Sequence, residues 1–243
     1  MDDPVRSETE QVDDQLVVRL FGHLDSASVA AVRHDLLGCL AEQPAALVVD
    51  LTALTVGQPA SFDVFVAVAR QATVWPGTPL RFCGTDTATS ALLASDPSGG
   101  PEVFHSIDRA LAAGVAAPRQ TVSELLLPAR GAARRARDMV TEACLRWGPA
   151  ELVGPASLVA SELVGNAVAH AGTLVELRVS MRSELMIGVR DGSAVEPRLA
   201  AVPVSAAQIG RGLLLVDTIA RRWGSIPVAG GKVVWAALGV DGG

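Results

Sequence analysis

Lysine is nearly missing from this 243-residue chain: of its twenty Lys+Arg residues only Lys232 is a lysine. A P-loop NTPase needs a lysine after its glycine loop, a conventional protein kinase needs one on its third strand, and a Schiff-base enzyme needs one as its nucleophile. Lys232 stands in Gly230-Gly231-Lys232-Val233-Val234, near the C-terminus, where none of those motifs surrounds it. A nucleotide site in this chain would have to work without a lysine clamp. Tyrosine is absent and aromatics make up only 4% of residues, so the cores must be packed with Ala, Val and Leu. The three cysteines, Cys39, Cys83 and Cys144, are far apart and form no CxxC or Cys/His spacing, which reads as reduced structural thiols in a cytoplasmic protein rather than disulfides or metal ligands. Basic residues are outnumbered by twenty-six Asp+Glu, giving a net charge of −6. That balance argues against a nucleic-acid or anionic-membrane partner, both of which need a basic surface. The local exception, Arg130 to Arg137, reads as a solvated helix face. No run of about 18 apolar residues is present to span a bilayer. The start, Met1-Asp2-Asp3-Pro4, is acidic and lacks the apolar core of a signal or transit peptide. The expected location is the cytoplasm.

What the chain does have is an apolar fraction of 49%, enough for buried cores, at a length that suits two small domains. In the first half, strand signals at Leu16 to Gly22, Ala46 to Leu51, Leu80 to Cys83 and Val103-Phe104 alternate with helical patterns. The helices are expected over Ser26 to Ala41, Ser61 to Gln71, Thr87 to Ser95 and Ile107 to Ala113, and the alternation predicts a small α/β domain over residues 12–113. Residues 114–120 lose periodicity and carry Gly and Pro, which marks a linker. The second half, residues 121–240, reads differently. A strand at Glu124 to Leu127 precedes long helices over Gly131 to Trp147 and Pro155 to Ala171. Strands at Val175 to Met181 and Leu185 to Arg190 follow, then a long loop to Gly210, a helix from Gly212 to Arg221, and a strand pair at Gly224 to Val228 and Lys232 to Leu238. Helices clustered against an antiparallel-rich sheet predict a two-layer α+β sandwich.

The second long helix contains Ser161-Glu162-Leu163-Val164-Gly165-Asn166-Ala167-Val168-Ala169-His170-Ala171. Glu162, Asn166 and His170, at i, i+4 and i+8, form one polar stripe on an otherwise apolar helix. The stripe fits either a buried line of functional groups or the wet side of an amphipathic helix. Further on, Val189-Arg190-Asp191-Gly192-Ser193 ends a strand in a carboxylate that could accept from a ligand amino group. Gly210-Arg211-Gly212-Leu213 opens a helix, where backbone N–H groups and the helix dipole favour a phosphate.

Taken in order, the Glu-x-x-x-Asn helix, the strand-end Asp-x-Gly, the long loop and the Gly-x-Gly helix start resemble the Bergerat-fold ATP-binding module. The pattern is closest to its anti-sigma-factor serine kinase branch of actinobacterial type, with Leu127-Pro128-Ala129, Arg222-Trp223-Gly224 and Gly231-Lys232-x-Val234-Trp235 also matching, over Thr121 to Leu238. The resemblance implies ATP and Mg²⁺ as cofactors, with Asn166 as the metal ligand and Glu162 as general base toward a serine or threonine hydroxyl. It further implies Asp191 as acceptor for the adenine amino group, with Gly192 allowing close approach. Gly210, Gly212 and Leu213 would hold phosphates through their amides, with Arg211 as a counter-charge. Two departures stand out. Val233 takes the place where relatives carry a threonine that contacts the adenine pocket, which would weaken ATP binding by on the order of 1 kcal/mol. Gln208-Ile209 replaces an acidic position ahead of Gly-Arg-Gly.

Phe21-Gly22-His23-Leu24-Asp25 and Val48-Val49-Asp50-Leu51-Thr52-Ala53-Leu54-Thr55 resemble a STAS domain, the fold of anti-sigma-factor antagonists. In those antagonists an Asp-Ser-Ser-Gly segment follows and carries the phosphorylated serine. Here the matching positions read Gln58-Pro59-Ala60-Ser61, so the acceptor serine is missing and Ser61 lies one residue late. Together the two resemblances imply an ATP-dependent serine/threonine protein kinase in a partner-switching pathway that controls sigma-factor-dependent transcription. Its partners would be a separate STAS-domain antagonist and a sigma factor, with a homodimer left open. The alternatives are a non-catalytic ATP-binding switch held off by its own altered STAS domain, and an ATP hydrolysis cycle without a protein acceptor.

Overall fold

The computed structural model describes residues 3–85, 101–114, 120–197 and 211–240, and the chain divides into two compact units, Met1–Pro118 and Arg119–Gly243. Each is a five-stranded sheet with its own hydrophobic core.

In the first unit the sheet order is β1(Arg6–Val12), β2(Gln15–Leu24), β3(Leu47–Val56), β4(Leu80–Cys83), β5(Glu102–Phe104). β1 and β2 form an antiparallel hairpin and the remaining neighbours are parallel. Parallel neighbours need crossovers, supplied here by α1(Val29–Ala41) and by a short 3₁₀ turn leading into α2(Asp63–Val74), with α3(Ile107–Ala112) after β5. Val18, Leu20, Val49 and Leu51 face α1 and α2, while Val17 and Val48 turn to the other side with Ala110 of α3. Burial on both faces explains why β3 begins as a continuous apolar run. The turn leading into α1 is closed by Asp25, whose Oδ1 accepts from the Ser28 amide at 2.9 Å and from its hydroxyl at 2.7 Å. Arg81, only 3% exposed, donates to Gln15 Oε1 at 3.2 Å and to the Ala110 carbonyl at 2.7 Å, tying β4 to the start of β2 and the end of α3.

Two elements differ from the sequence expectation. β1 has the sequence Arg-Ser-Glu-Thr-Glu-Gln-Val and is almost wholly exposed, so it carries no apolar alternation, and charged residues on such an edge suppress pairing with other chains. β3 runs on to Val56 because its distal half, exposed, is held by backbone pairing to β2 rather than by burial. The expected helix over Thr87 to Ser95 lies outside the described residues.

All three cysteines are buried and free. Burial pushes the thiol of Cys39 up to about 11, helped by Asp35, that of Cys83 up to about 12, helped by Asp50, and that of Cys144 up to about 11. Only thiolates react, so at pH 8 an aromatic disulfide reagent should label the native protein at least about 100-fold more slowly than the unfolded chain. Rapid labelling of one thiol in the native state would contradict this burial.

In the second unit the sheet order is β6(Gln120–Leu126), β7(Val175–Met181), β8(Glu184–Asp191), β10(Gly231–Gly239), β9(Arg222–Val228), antiparallel throughout. α4(Ala132–Trp147), α5(Val153–His170) and α6(Arg211–Ile219) pack on one face. Ala132, Ala136, Met139, Val140, Ala143 and Cys144 make the buried stripe of α4, at the spacing of an amphipathic helix. Outside that stripe Arg135 pairs with Glu124 at 2.7 Å and Arg137 donates to Ser161 Oγ at 2.8 Å. Part of the arginine cluster is therefore spent on intramolecular contacts. Among the described residues α5, with its preceding turn, is the one helix long and apolar enough to cross a membrane by composition, with a mean hydropathy of 1.4. Its apolar face packs in the core instead: Ala156, Val159, Ala160, Leu163, Val164 and Ala167 are all at most 3% exposed. On the strands Leu185, Ile187 and Val189 of β8 and Val234, Ala236 and Leu238 of β10 meet these helices.

Candidate functional site

Side chains alternate along a strand, so the face that Leu185, Ile187 and Val189 give to the helices is continued by Asp191 at the end of β8. On β10 the same parity runs back from Val234 to Lys232, and the register sets Lys232 directly opposite Asp191. Both side chains therefore project on the helix side of the sheet, where the helices no longer cover it. There a cavity of about 420 Å³ opens, with Asn166, His170, Asp191, Leu213, Lys232 and Val234 among its lining residues. That volume falls within the range of about 300–1,000 Å³ usual for small-molecule sites.

Asn166, Asp191 and Leu213, separate in sequence, thus line one cavity, and His170 joins them from the end of α5. Glu162 sits one turn before Asn166 against the start of α6: a Cβ on Gly212 would collide with the Glu162 carboxylate and come within 3.5 Å of Asn166 Nδ2. Glycine is what lets this helix start approach the polar stripe. Glu162 and Asn166 are half-buried and His170 is exposed, so the stripe is neither sealed in the core nor fully solvated. Gly192 is spent differently. Its amide donates to Thr173 Oγ1 at 2.9 Å, and a Cβ there would approach Thr173 Cγ2 to 2.8 Å. Arg211 opens α6; its side chain, like Gly210 and Gln208-Ile209, lies outside the described residues.

Lys232, part of the matching C-terminal motif but given no role by the sequence reading, also stands at the cavity. Its Nζ donates to Asp191 Oδ1 at 2.8 Å and to the Ser193 carbonyl at 3.1 Å, and Asp191 Oδ1 also accepts from the Ser193 amide at 2.8 Å. The two side chains are 9% and 2% exposed, a nearly dry ion pair in the cavity wall. Lys232 is here paired to a carboxylate in the cavity wall, which is a different role from the phosphate-clamping lysine of P-loop and conventional kinases. Val233 pairs with Arg190 on the opposite parity, and its neighbours Lys232 and Val234 are the β10 residues that line the cavity. Both parities of β10 are apolar and buried, so the strand's own sequence does not disclose which residue borders the cavity.

Two features of the geometry are compatible with a nucleotide. Asp191 Oδ2 accepts no hydrogen bond from the described residues and borders the cavity. The start of α6 lies beside Glu162 and Asn166, and the first amides of a helix, which have no partner within the helix itself, favour an anion. No group of three or more His, Cys, Asp or Glu side chains able to hold a metal occurs among the described residues. A hard divalent cation would accordingly rely on the Asn166 amide oxygen together with phosphate and water oxygens.

At the other end of the chain, residues 6–92 match the family model of the STAS domain. The N-terminal unit is thus a STAS-like domain in a mixed α/β protein. Solved structures similar to it include an anti-sigma factor antagonist from Mycobacterium paratuberculosis, at 23% identity over 44% of this chain and 91% of that one, TM-score 0.36. Moorella thermoacetica RsbS follows at 26% identity over 44% and 92%, TM-score 0.37. The Bacillus cell fate determinant SpoIIAA in its phosphorylated form matches at 15% identity over 44% and 96%, TM-score 0.35. No curated protein matches this sequence. In the STAS domain Ser61 belongs to the 3₁₀ turn Pro59–Phe62 and is only 4% exposed. A kinase could reach its hydroxyl only after local opening, which argues against Ser61 as a phosphoacceptor.

Proposed function

We propose that the second unit is a Bergerat-type ATP-binding domain, and that the chain is an anti-sigma-factor-type serine/threonine protein kinase acting on a separate STAS-domain antagonist. The supporting observation is the meeting of Asn166, Asp191 and Leu213 around one cavity, with Glu162 at the adjacent helix start. ATP with Mg²⁺ supplies the phosphoryl group and neutralises its charge. Asn166 holds the cation through its amide oxygen, the amides at the start of α6 orient the phosphates, and Asp191 Oδ2 accepts from the base. Glu162, one helical turn from Asn166, takes the proton of the attacking hydroxyl. A sigma factor is the second partner in this reading, and the setting is the cytoplasm. Incubation with γ-labelled ATP and a STAS-domain antagonist should transfer label to a serine or threonine of the antagonist. Absence of transfer to any such partner would remove the kinase assignment.

One observation favours a second, non-catalytic reading. The buried Ser61 leaves this STAS domain without a presented acceptor at the usual place, so it is suited to docking rather than to being phosphorylated. In that reading the altered STAS domain restrains the ATP-binding domain, and nucleotide sets only the conformation. Removing residues 1–113 separates the two: a restrained switch gains partner binding, whereas an independent kinase is unchanged.

A further inference from the structure

We infer that Lys232 widens the base selectivity of this pocket, so that it accepts 6-oxopurine as well as 6-aminopurine nucleotides. The inference rests on the nucleotide reading above and adds to it a specificity residue.

A lone carboxylate in a purine pocket is a one-sided reader. It accepts from the 6-amino group of adenine, but it faces the carbonyl oxygen of guanine with another acceptor, leaving two buried oxygens opposed and unsatisfied. A site built that way rejects the wrong base by on the order of 100-fold or more. Here the carboxylate is not alone. Asp191 and Lys232 sit opposite each other on adjacent strands, and Lys232 Nζ lies 2.8 Å from Asp191 Oδ1. Both border the same cavity at 2% and 9% side-chain exposure. Each has unused capacity. Of the three ammonium N–H bonds, one goes to Asp191 and one to the Ser193 carbonyl, and Asp191 Oδ2 has no donor among the described residues. The wall therefore offers one donor and one acceptor side by side, with no net charge.

That pair is complementary to the edge of either purine. Adenine sets its amino group on Asp191 and lets ring N1 accept from Lys232. Guanine sets its carbonyl oxygen on Lys232 and donates its N1–H to Asp191. The second arrangement reverses the order of donor and acceptor. The long, rotatable lysine stem allows that reversal, because an ammonium can swing around the carboxylate while keeping one bond to it. A neutral side chain at position 232 could not supply the cationic donor.

Calorimetric titration of the full chain with ADP and with GDP, each with Mg²⁺, decides the matter. The wild-type protein should bind the two within about tenfold of each other, and Lys232→Met should weaken GDP at least about 30-fold more than ADP. Lys232→Arg, which keeps a cationic donor, should retain GDP binding. A wild-type preference for ADP above about 100-fold overturns the inference while leaving the nucleotide pocket standing. Binding of neither nucleotide overturns both. If Lys232→Met fails to fold, the wild-type ratio still decides.

Discussion

Replacing Glu162 by glutamine is expected to lower phosphoryl transfer to the protein acceptor by about 10²–10⁴-fold, the usual contribution of a positioned general base. Nucleotide affinity should change by less than about threefold, because Glu162 lies against the start of α6 and is not part of the cavity wall around Asp191. The substitution is nearly isosteric, and Glu162 is half-buried without an ion-pair partner among the described residues, so stability should hardly change. Transfer rates and calorimetric affinities measured on the same preparation separate these effects. Unchanged transfer in Glu162→Gln would remove this residue from the chemistry and leave the non-catalytic switch as the better description.

A second large effect is expected from Asp191→Ala. This change removes the base acceptor and leaves the Lys232 ammonium without its carboxylate at 9% exposure. Breaking a buried ion pair from one side usually destabilises by about 3–5 kcal/mol. In a unit of this size that lowers the melting temperature by roughly 10 °C or more. The double substitution Asp191→Ala/Lys232→Met deletes both charges and should recover most of the lost melting temperature, but not nucleotide binding. Recovery of stability without recovery of binding separates the structural contribution of the pair from its recognition role. If Asp191→Ala melts like the wild type, the pair is not the dry contact described here.

Much of this architecture could be read from the sequence: the one-sided stripe of α4 has a clean helical period, while β4, β8 and β10 stand out as short runs buried along nearly their whole length. Strands without apolar patterning were not legible. β1 is polar along its whole length, and the far end of β3 is exposed. Asn166 and Asp191, singled out by motif order, do line one cavity, whereas the placement of Lys232 beside Asp191 depends on strand register. Nothing local in Gly-Gly-Lys-Val-Val states that Lys232 stands across from Asp191, forty-one residues earlier in the chain. Val233 and Lys232 are one step apart on β10 and so lie on opposite faces of the sheet, which local sequence does not state. The near absence of lysine still separates this chain from the lysine-clamped phosphotransferases, but its single lysine lies in the cavity rather than away from it.

The reading of the second unit as a nucleotide-binding domain stands or falls on one titration: ATP into the purified full-length protein, with and without Mg²⁺, by calorimetry. Saturable binding at one site per chain that is stronger with Mg²⁺, and a loss of that Mg²⁺ dependence in a folded Asn166→Ala protein, is the expected result. No saturable heat at millimolar ATP, or equal Mg²⁺ dependence in wild type and Asn166→Ala, would contradict it.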